Sequence, residues 1–154
     1  MKKVSSLVLA LLCTAFLVGC QSPEPETASF SQWLQNINPE EIRWIEAGAA
    51  CDDDRCSYLF PQKDLDQVVA QLQTITDAQC SLGPVSNDFD SRLTMVYGDQ
   101  ILLFRCMNDG PVGVLFSDPD TAAAFGCGGK LLVVDNDELW NFISDTVECL
   151  CPAP

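Results

Sequence analysis

The 154-residue chain contains no histidine. Its absence excludes Ser–His and Cys–His nucleophile pairs, histidine general bases and histidine metal ligands. The chain also lacks the glycine-rich phosphate-binding motifs and the GxSxG nucleophile motif. A pair of carboxylates could still catalyse hydrolysis, but nothing singles out two of the 22 acidic residues. We therefore expect a protein that is not an enzyme, with no catalytic residue and no cofactor.

Basic residues are also few, because eight Lys and Arg stand against 22 Asp and Glu. Lys2 and Lys3 are the only charged residues before Glu24. Beyond residue 19, six basic and 22 acidic residues give a net charge of −16. Such a surface repels phosphate backbones, which predicts no binding to nucleic acid. It would favour a cationic protein or peptide, or a metal cation; alternatively, the acidic charge only keeps the domain soluble.

The chain has one long apolar run, and it lies at the N-terminus. Lys2 and Lys3 are followed by 16 uncharged residues, 4–19. As a helix this run would span about 24 Å, which is shorter than the roughly 30 Å hydrocarbon core of a bilayer. A basic start, an apolar centre and a small residue before the end are typical of a cleaved signal peptide. We therefore expect residues 1–19 to be removed.

The signal segment ends in Leu17, Val18, Gly19 and Cys20. This sequence resembles the lipobox of bacterial lipoproteins. The resemblance implies that Cys20 carries a diacylglycerol, and palmitate, as the first residue of the mature protein. The protein would then be anchored to the cell membrane on its extracytoplasmic face, since two acyl chains give stable anchoring. The alternative is an ordinary signal peptide in which Cys20 is an incidental thiol.

Residues 20–29 are polar and acidic, and they include Pro23 and Pro25. This composition cannot bury a core and is typical of an extended, solvated tether. The remaining residues, 30–154, suit one small domain.

The periodicity of residues 30–154 predicts an α+β fold, with an antiparallel sheet (a hairpin plus a meander) packed by two amphipathic helices. A first helical turn carries Trp33 and Leu34, and a capped turn begins at Asn38. Residues 42–49 predict a strand that pairs with a strand in 56–60. Residues 61–76 predict the strongest helix, whose apolar stripe consists of Leu65, Val68, Val69, Leu72 and Ile75.

Residues 92–106 predict the central hairpin. A two-residue loop at Gly98 and Asp99 would set Met95 opposite Leu102 and Leu93 opposite Phe104. The same register sets Arg92 opposite Arg105, which is an unfavourable pair of like charges. A third strand would follow a turn at Asp109 and Gly110.

The last third predicts a helical turn over 121–125, a strand at 130–134 and a final helix. We expect Asp135 to cap that helix, with Glu138 three residues later. The element order from Asn38 to Val147 resembles that of small uncharacterised domains attached to lipoproteins of Gram-positive bacteria. This second resemblance implies no activity and no binding residues.

Seven cysteines lie in the expected domain, and an extracytoplasmic location favours their oxidation. Because seven is odd, at least one thiol is left free, capped or paired between molecules. The sequence indicates only one pairing, Cys51 with Cys56, across a turn that contains the acidic residues 52–54. The disulfide candidates are Cys51, Cys56, Cys80, Cys106, Cys127, Cys149 and Cys151.

Two other roles for the cysteines remain open. They could be reduced, buried thiols, or they could serve a thiol-dependent redox or metal function. Neither the spacing of a thioredoxin motif nor that of a zinc knuckle is present, and the acids at 52–54 lack the spacing of a calcium loop. The sequence therefore predicts no metal ligand. It favours a membrane-anchored, non-catalytic binding or interaction module of the cell envelope, with a thiol-dependent redox or metal-handling lipoprotein as the alternative.

Overall fold

The fold is described by a computed structural model, which covers residues 28–49, 56–108 and 110–148. The signal segment, Cys20, most of the tether, the acidic residues 52–54 and the cysteines Cys51, Cys149 and Cys151 lie outside these residues. Across the described ranges, no helix is both long and apolar enough to cross a membrane.

The described chain folds into one seven-stranded antiparallel sheet and four α-helices, so the predicted α+β class is confirmed. The strands lie in the order β2-β1-β4-β5-β6-β7-β3. Their bounds are β1 Ile42–Ala49, β2 Ser57–Leu59, β3 Cys80–Gly83, β4 Phe89–Tyr97, β5 Gln100–Met107, β6 Val112–Phe116 and β7 Leu131–Val134. The helices are α1 Phe30–Gln35, α2 Leu65–Leu72, α3 Pro119–Ala124 and α4 Asp137–Glu148.

The hairpin β4–β5 has the predicted register. Met95 pairs with Leu102, and Leu93 pairs with Phe104. Gly98 has φ +55°, a conformation that glycine adopts without steric cost, and this allows the two-residue loop. Arg92 also pairs with Arg105, as expected. The predicted pairing of β1 with β2 and the third strand of the meander, β6, are confirmed as well.

Side chains alternate between the two faces of the sheet, and only one face is covered by the helices. That face carries the buried residues of the meander, among them Leu93, Met95 and Phe104. Helix α4 packs across β4 and β1, and α2 packs against α4 through its apolar stripe. The helix-covered side therefore holds the hydrophobic core.

The opposite face of the sheet, here called the outer face, is crossed by no described helix. Trp44 and Ile101 lie on it and remain 38% and 45% exposed. The segment 84–88, here called the strap, leads from β3 at one edge of the sheet to β4 at its centre. The Arg105 guanidinium donates to the Ser86 carbonyl at 3.4 Å and to Asn87 Oδ1 at 3.1 Å, which fixes the strap against β5.

Three local predictions need correction. Helix α4 is capped by Asn136 and not by Asp135, because Asn136 Oδ1 accepts the Leu139 backbone N–H at 2.9 Å. Helix α3 begins at Pro119, two residues before the predicted turn, since Asp118 accepts from the Thr121 backbone N–H and caps it. Strand β3 was not predicted at all.

Candidate functional site

The candidate site is the exposed edge strand β3, with a cleft on each side of it. β3 follows a turn of 3₁₀ helix, Asp77–Gln79, and pairs with β7 on one side only. Its four residues, Cys80, Ser81, Leu82 and Gly83, carry no charge. Natural edge strands are often very short, or carry a lysine, a proline or a bulge that limits further pairing. β3 is short, but it contains no lysine, proline or bulge.

The hydrogen-bonding pattern leaves one set of backbone groups of β3 directed away from the sheet. The Asp135 N–H donates to the Gln79 carbonyl at 2.9 Å, so Gln79 and Asp135 form a hydrogen-bonded pair. In an antiparallel ladder these pairs alternate with pairs whose N–H and C=O groups point outward. The backbone groups of Cys80 and Leu82 therefore do not pair with β7. The Cys80 N–H donates to the Asp77 carbonyl, so the groups that face the open edge are the Cys80 carbonyl and the N–H and carbonyl of Leu82, and no described strand lies beyond them.

A cleft of about 320 Å³ lies on the helix-covered side of β3 and is here called the inner cleft. Cys80 and Leu82 line it from the strand, and Leu82 is 44% exposed. Phe30, Phe125 and Leu132 supply an apolar wall. The rings of Phe30 and Phe125 pack edge to face at 5.4 Å, so this wall is part of the aromatic core and is held in place.

A second cleft, of about 500 Å³, lies on the outer face between β3, the strap, β7 and the turn after β5, and is here called the outer cleft. Its apolar residues are Met107, Leu131 and Val133. These side chains approach closely because two neighbours lack a Cβ. A Cβ at Gly113 would lie 2.6 Å from Leu131 Cδ2, and one at Gly83 would lie 2.8 Å from Val133 Cγ2.

The rim of the outer cleft is polar. Ser81, Ser86, Asp88 and Asn108 line it. The Asn108 side-chain amide donates to Asp88 Oδ1 at 2.6 Å, which ties the end of the strap to the turn after β5. An apolar floor with a few fixed polar groups is the usual composition of a binding cleft.

Acidic side chains surround the end of β3 at which Cys80 lies. Asp77 accepts hydrogen bonds from the Ser29 hydroxyl at 2.6 Å and from the Ser31 backbone N–H at 3.2 Å. These bonds lower the pKa of Asp77, so it is ionised at neutral pH. A further cleft of about 370 Å³ contains Gln79, next to β3, together with Asp135, Asp137 and Glu138. This end of the edge is therefore strongly negative.

The opposite end of β3 has mixed charge. Gly83 pairs with Leu131, and Lys130 directly precedes Leu131 in the chain. Asp88 lies on the rim of the outer cleft near the same end. The charge around β3 is thus asymmetric, from acidic beside Cys80 to mixed beside Gly83.

The described cysteines do not form a common site. Cys80, Cys106 and Cys127 have free thiols, and Cys106 and Cys127 are buried. Cys106 and Cys127 therefore match the interpretation as reduced, buried thiols, whereas Cys80 is a free thiol of intermediate exposure. Cys56 is disulfide-bonded, but Cys51 lies outside the described residues, so the Cys51–Cys56 pairing stays a prediction. In the described part of the chain, no group of three or more Cys, Asp or Glu side chains could hold a metal ion.

The three free thiols are poorly suited to nucleophilic chemistry. Burial, and then the charge of nearby Asp77, raise the pKa of Cys80 to about 11. Burial also raises the pKa of Cys106 to about 11, with Asp90 adding to the effect, and it raises the pKa of Cys127. Reactive cysteines have lowered pKa values, since the thiolate is the nucleophile.

The sequence predicts only part of this site. Cys80 is among the disulfide candidates, and the hairpin register predicts the like-charged pair Arg92–Arg105. The edge strand and both clefts were missed. A search for uncharged segments between turns would have marked residues 80–83. Cys20, the predicted lipidation site, lies outside the described residues. Comparison with protein-family models, with curated proteins and with solved structures finds no match for this chain.

Proposed function

We propose that this protein is a non-catalytic binding module, anchored to the extracytoplasmic face of the cell membrane through Cys20. The observation that carries the binding role is the uncharged edge strand β3 between two clefts. Exposed edges of this kind accept a further strand from another chain.

The anchor is compatible with the position of the site. The described chain begins at Ala28, whose N–H donates to the Ala124 carbonyl at 2.9 Å, and Ala28 and Ser29 line the inner cleft. Residues 21–27 separate Cys20 from Ala28, and eight extended residues reach about 29 Å at most. A lipid on Cys20 would therefore hold β3 near the membrane surface.

A thiol-dependent redox function has less support. It requires an accessible thiolate, and the described free thiols have raised pKa values and are largely buried. The alternative of metal handling has no ligand cluster among the described residues.

Fractionation of cells tests the anchor. Cys20→Ser should move the protein from the membrane fraction to the soluble fraction and remove incorporated fatty acid. Cys13→Ser is the matched control, because it changes a cysteine within the predicted signal segment and should leave the mature protein on the membrane. Fatty-acid labelling of the Cys20→Ser variant would refute the anchor.

Site-specific photo-crosslinking in cells tests the binding role. A photoreactive amino acid at Leu82 should give a discrete adduct. The control is the same amino acid at Ile101, which is equally exposed but lies on the outer face away from the edge. Equal adducts at both positions would indicate non-specific collisions, and the absence of adducts at Leu82 would refute the role of β3.

A further inference from the structure

The chemistry around β3 specifies the kind of partner, and this inference rests on the proposed binding function. We propose that the β3 edge binds an extended peptide that adds an eighth antiparallel strand, with apolar side chains at alternate positions and basic residues at its C-terminal end. Backbone hydrogen bonds to the Cys80 carbonyl and to the N–H and carbonyl of Leu82 would hold the peptide, and the two clefts would select its side chains.

The alternation of side-chain type along the peptide follows from the position of the clefts on the two faces of β3. Side chains of an added strand point to opposite faces at successive residues. One set would enter the inner cleft, against Phe30, Phe125 and Leu132. The other set would enter the outer cleft, where Ser81, Ser86 and Asn108 offer hydrogen bonds above an apolar floor. The inner set should therefore be apolar, and the outer set can be small and polar.

The charge of the peptide follows from the acidic groups beside Cys80. Asp77 and the cleft with Asp135, Asp137 and Glu138 lie at that end of β3. A strand antiparallel to β3 places its C-terminal end beside Cys80 and its N-terminal end beside Gly83. Basic residues at the C-terminal end would lie near these carboxylates, whereas at the N-terminal end they would lie near the mixed charge of Lys130 and Asp88.

Two other occupants of the edge fit less well. The chain's own residues 20–27 contain Pro23 and Pro25, which cannot donate to a ladder, and Glu24 and Glu26, which would be repelled by Asp77. A second copy would pair β3 with β3 antiparallel across a two-fold axis, which sets the acidic end of each copy beside the mixed-charge end of the other. The mature chain carries a net charge of −16, which opposes that approach.

The test uses the full chain in mild detergent and a synthetic peptide. The probe is acetylated, fluorescently labelled Val-Thr-Val-Thr-Val-Lys-Lys amide. Its fluorescence anisotropy should rise on binding, and a peptide with Glu-Glu in place of Lys-Lys should bind at least about tenfold more weakly. Methylation of the backbone nitrogens on the edge of the peptide that faces β3 should abolish binding, because those donors are lost.

Two variants of Leu82 locate the peptide. Leu82→Pro removes the outward backbone donor, is compatible with an edge strand and should abolish binding. Leu82→Thr keeps the donor and should retain binding with a modest loss. If Leu82→Pro unfolds the chain, which circular dichroism would show, the backbone-methylated peptide decides the question alone.

Three outcomes would overturn the proposal. They are equal affinity for the Lys-Lys and Glu-Glu peptides, unchanged binding after backbone methylation, and a dimer in sedimentation that dissociates on Leu82→Pro. The last outcome would identify a second copy as the occupant. If the peptides fail to bind while the Leu82 adduct forms in cells, the binding function stands and only the assigned partner class is wrong.

Discussion

Arg105 lies directly opposite Arg92 in the β4–β5 ladder, yet the two arginines have different surroundings. The Arg105 guanidinium donates to the strap and lies 4.5 Å from the centre of the Phe89 ring. Arg92 extends toward Gly48, where a Cβ atom would lie 3.7 Å from Arg92 Nε. Burial, and then the charge of Arg92, lower the pKa of Arg105. Arg105 therefore positions the strap, whereas Arg92 contributes mainly repulsion.

This difference predicts opposite effects of two matched substitutions. Arg92→Thr should raise the free energy of unfolding by about 0.2–1 kcal/mol, because it removes a like-charged cross-strand pair. Arg105→Thr should lower it by about 1 kcal/mol, since it also removes two hydrogen bonds and a cation–π contact. Urea unfolding of both variants measures the two changes. Equal changes of the same sign would show that the strap does not depend on Arg105.

The cap of α4 gives the second prediction. Asn136 is buried, its Oδ1 accepts the Leu139 N–H, and its Nδ2 donates to Thr74 Oγ1 at 3.4 Å. Asn136→Ala should therefore lower the free energy of unfolding by about 1–2 kcal/mol. Asp135→Ala is the control and should cost about 0.5 kcal/mol or less through the helix dipole. A larger loss of unfolding free energy in Asp135→Ala than in Asn136→Ala would show that Asp135 is the N-cap, as the sequence predicts.

The two neighbouring residues show what the sequence could predict and where it failed. Asp135 and Asn136 are equally good N-caps by residue type, and only the burial of Asn136 beside Thr74 decides between them. The β4–β5 register, by contrast, was predicted correctly because the Gly98–Asp99 loop and the apolar alternation agree. Local signals of this kind set the register of the hairpin, although β4 begins at Phe89, three residues before the predicted start, with an irregularity between Phe89 and Ser91.

Strand β3 was not predictable from such signals. It contains four residues without strict alternation, and its partner β7 lies about 50 residues further along the chain. The pairing is therefore a tertiary effect. Both clefts depend on it, because each one forms between β3 and elements that are distant in sequence, such as α1 and the turn after β5. This is why the fold class could be predicted and the site could not.

Packing beneath the outer cleft gives the third prediction. A Cβ at Gly113 would lie 2.6 Å from Leu131 Cδ2 and 3.3 Å from Met107 Sδ, and Leu131 is buried. Gly113→Ala should therefore lower the free energy of unfolding by about 1–3 kcal/mol through overpacking. Gly128→Ala is the control, because a Cβ there would meet no atom within 4 Å. Thermal unfolding of the two variants separates steric crowding from a general effect of replacing glycine.

The fourth prediction concerns pH. The pKa of Asp77 is lowered in the folded protein by hydrogen bonds from Ser29 and Ser31. A carboxyl group with a lowered pKa stabilises the fold above its unfolded pKa, and this stabilisation is lost as the pH falls through the folded pKa. Between pH 5.5 and pH 2.5 the urea midpoint should therefore fall more in the wild-type chain than in Asp77→Asn.

Asp66→Asn serves as the control for this experiment, because Asp66 is exposed on α2. Its urea midpoint should fall with pH as the wild-type midpoint does. If Asp77→Asn showed the full wild-type pH dependence, the contact between Asp77 and the start of α1 would not contribute to acid sensitivity.

The fifth prediction concerns the reactivity of the thiols. A thiol with a pKa of about 11, as at Cys80 and Cys106, is about one part in a thousand thiolate at pH 8. Iodoacetamide should therefore modify Cys80 slowly in the folded protein, and the rate should rise steeply with pH. Cys106 and Cys127 are buried and donate to the carbonyls of Trp140 and Phe125, so they should react only after unfolding. Mass spectrometry of peptides after timed alkylation measures each rate separately.

The same experiment separates the binding module from the thiol-dependent alternative. A redox protein needs a thiol that exchanges rapidly near neutral pH, and this requires a lowered pKa and an accessible sulfur. Burial instead raises the pKa of all three described free thiols. Alkylation in guanidinium chloride provides the control, since the three sites should then react at similar rates. Rapid modification of Cys80 at pH 7 in the folded chain would contradict the non-catalytic function and favour thiol chemistry at the β3 edge.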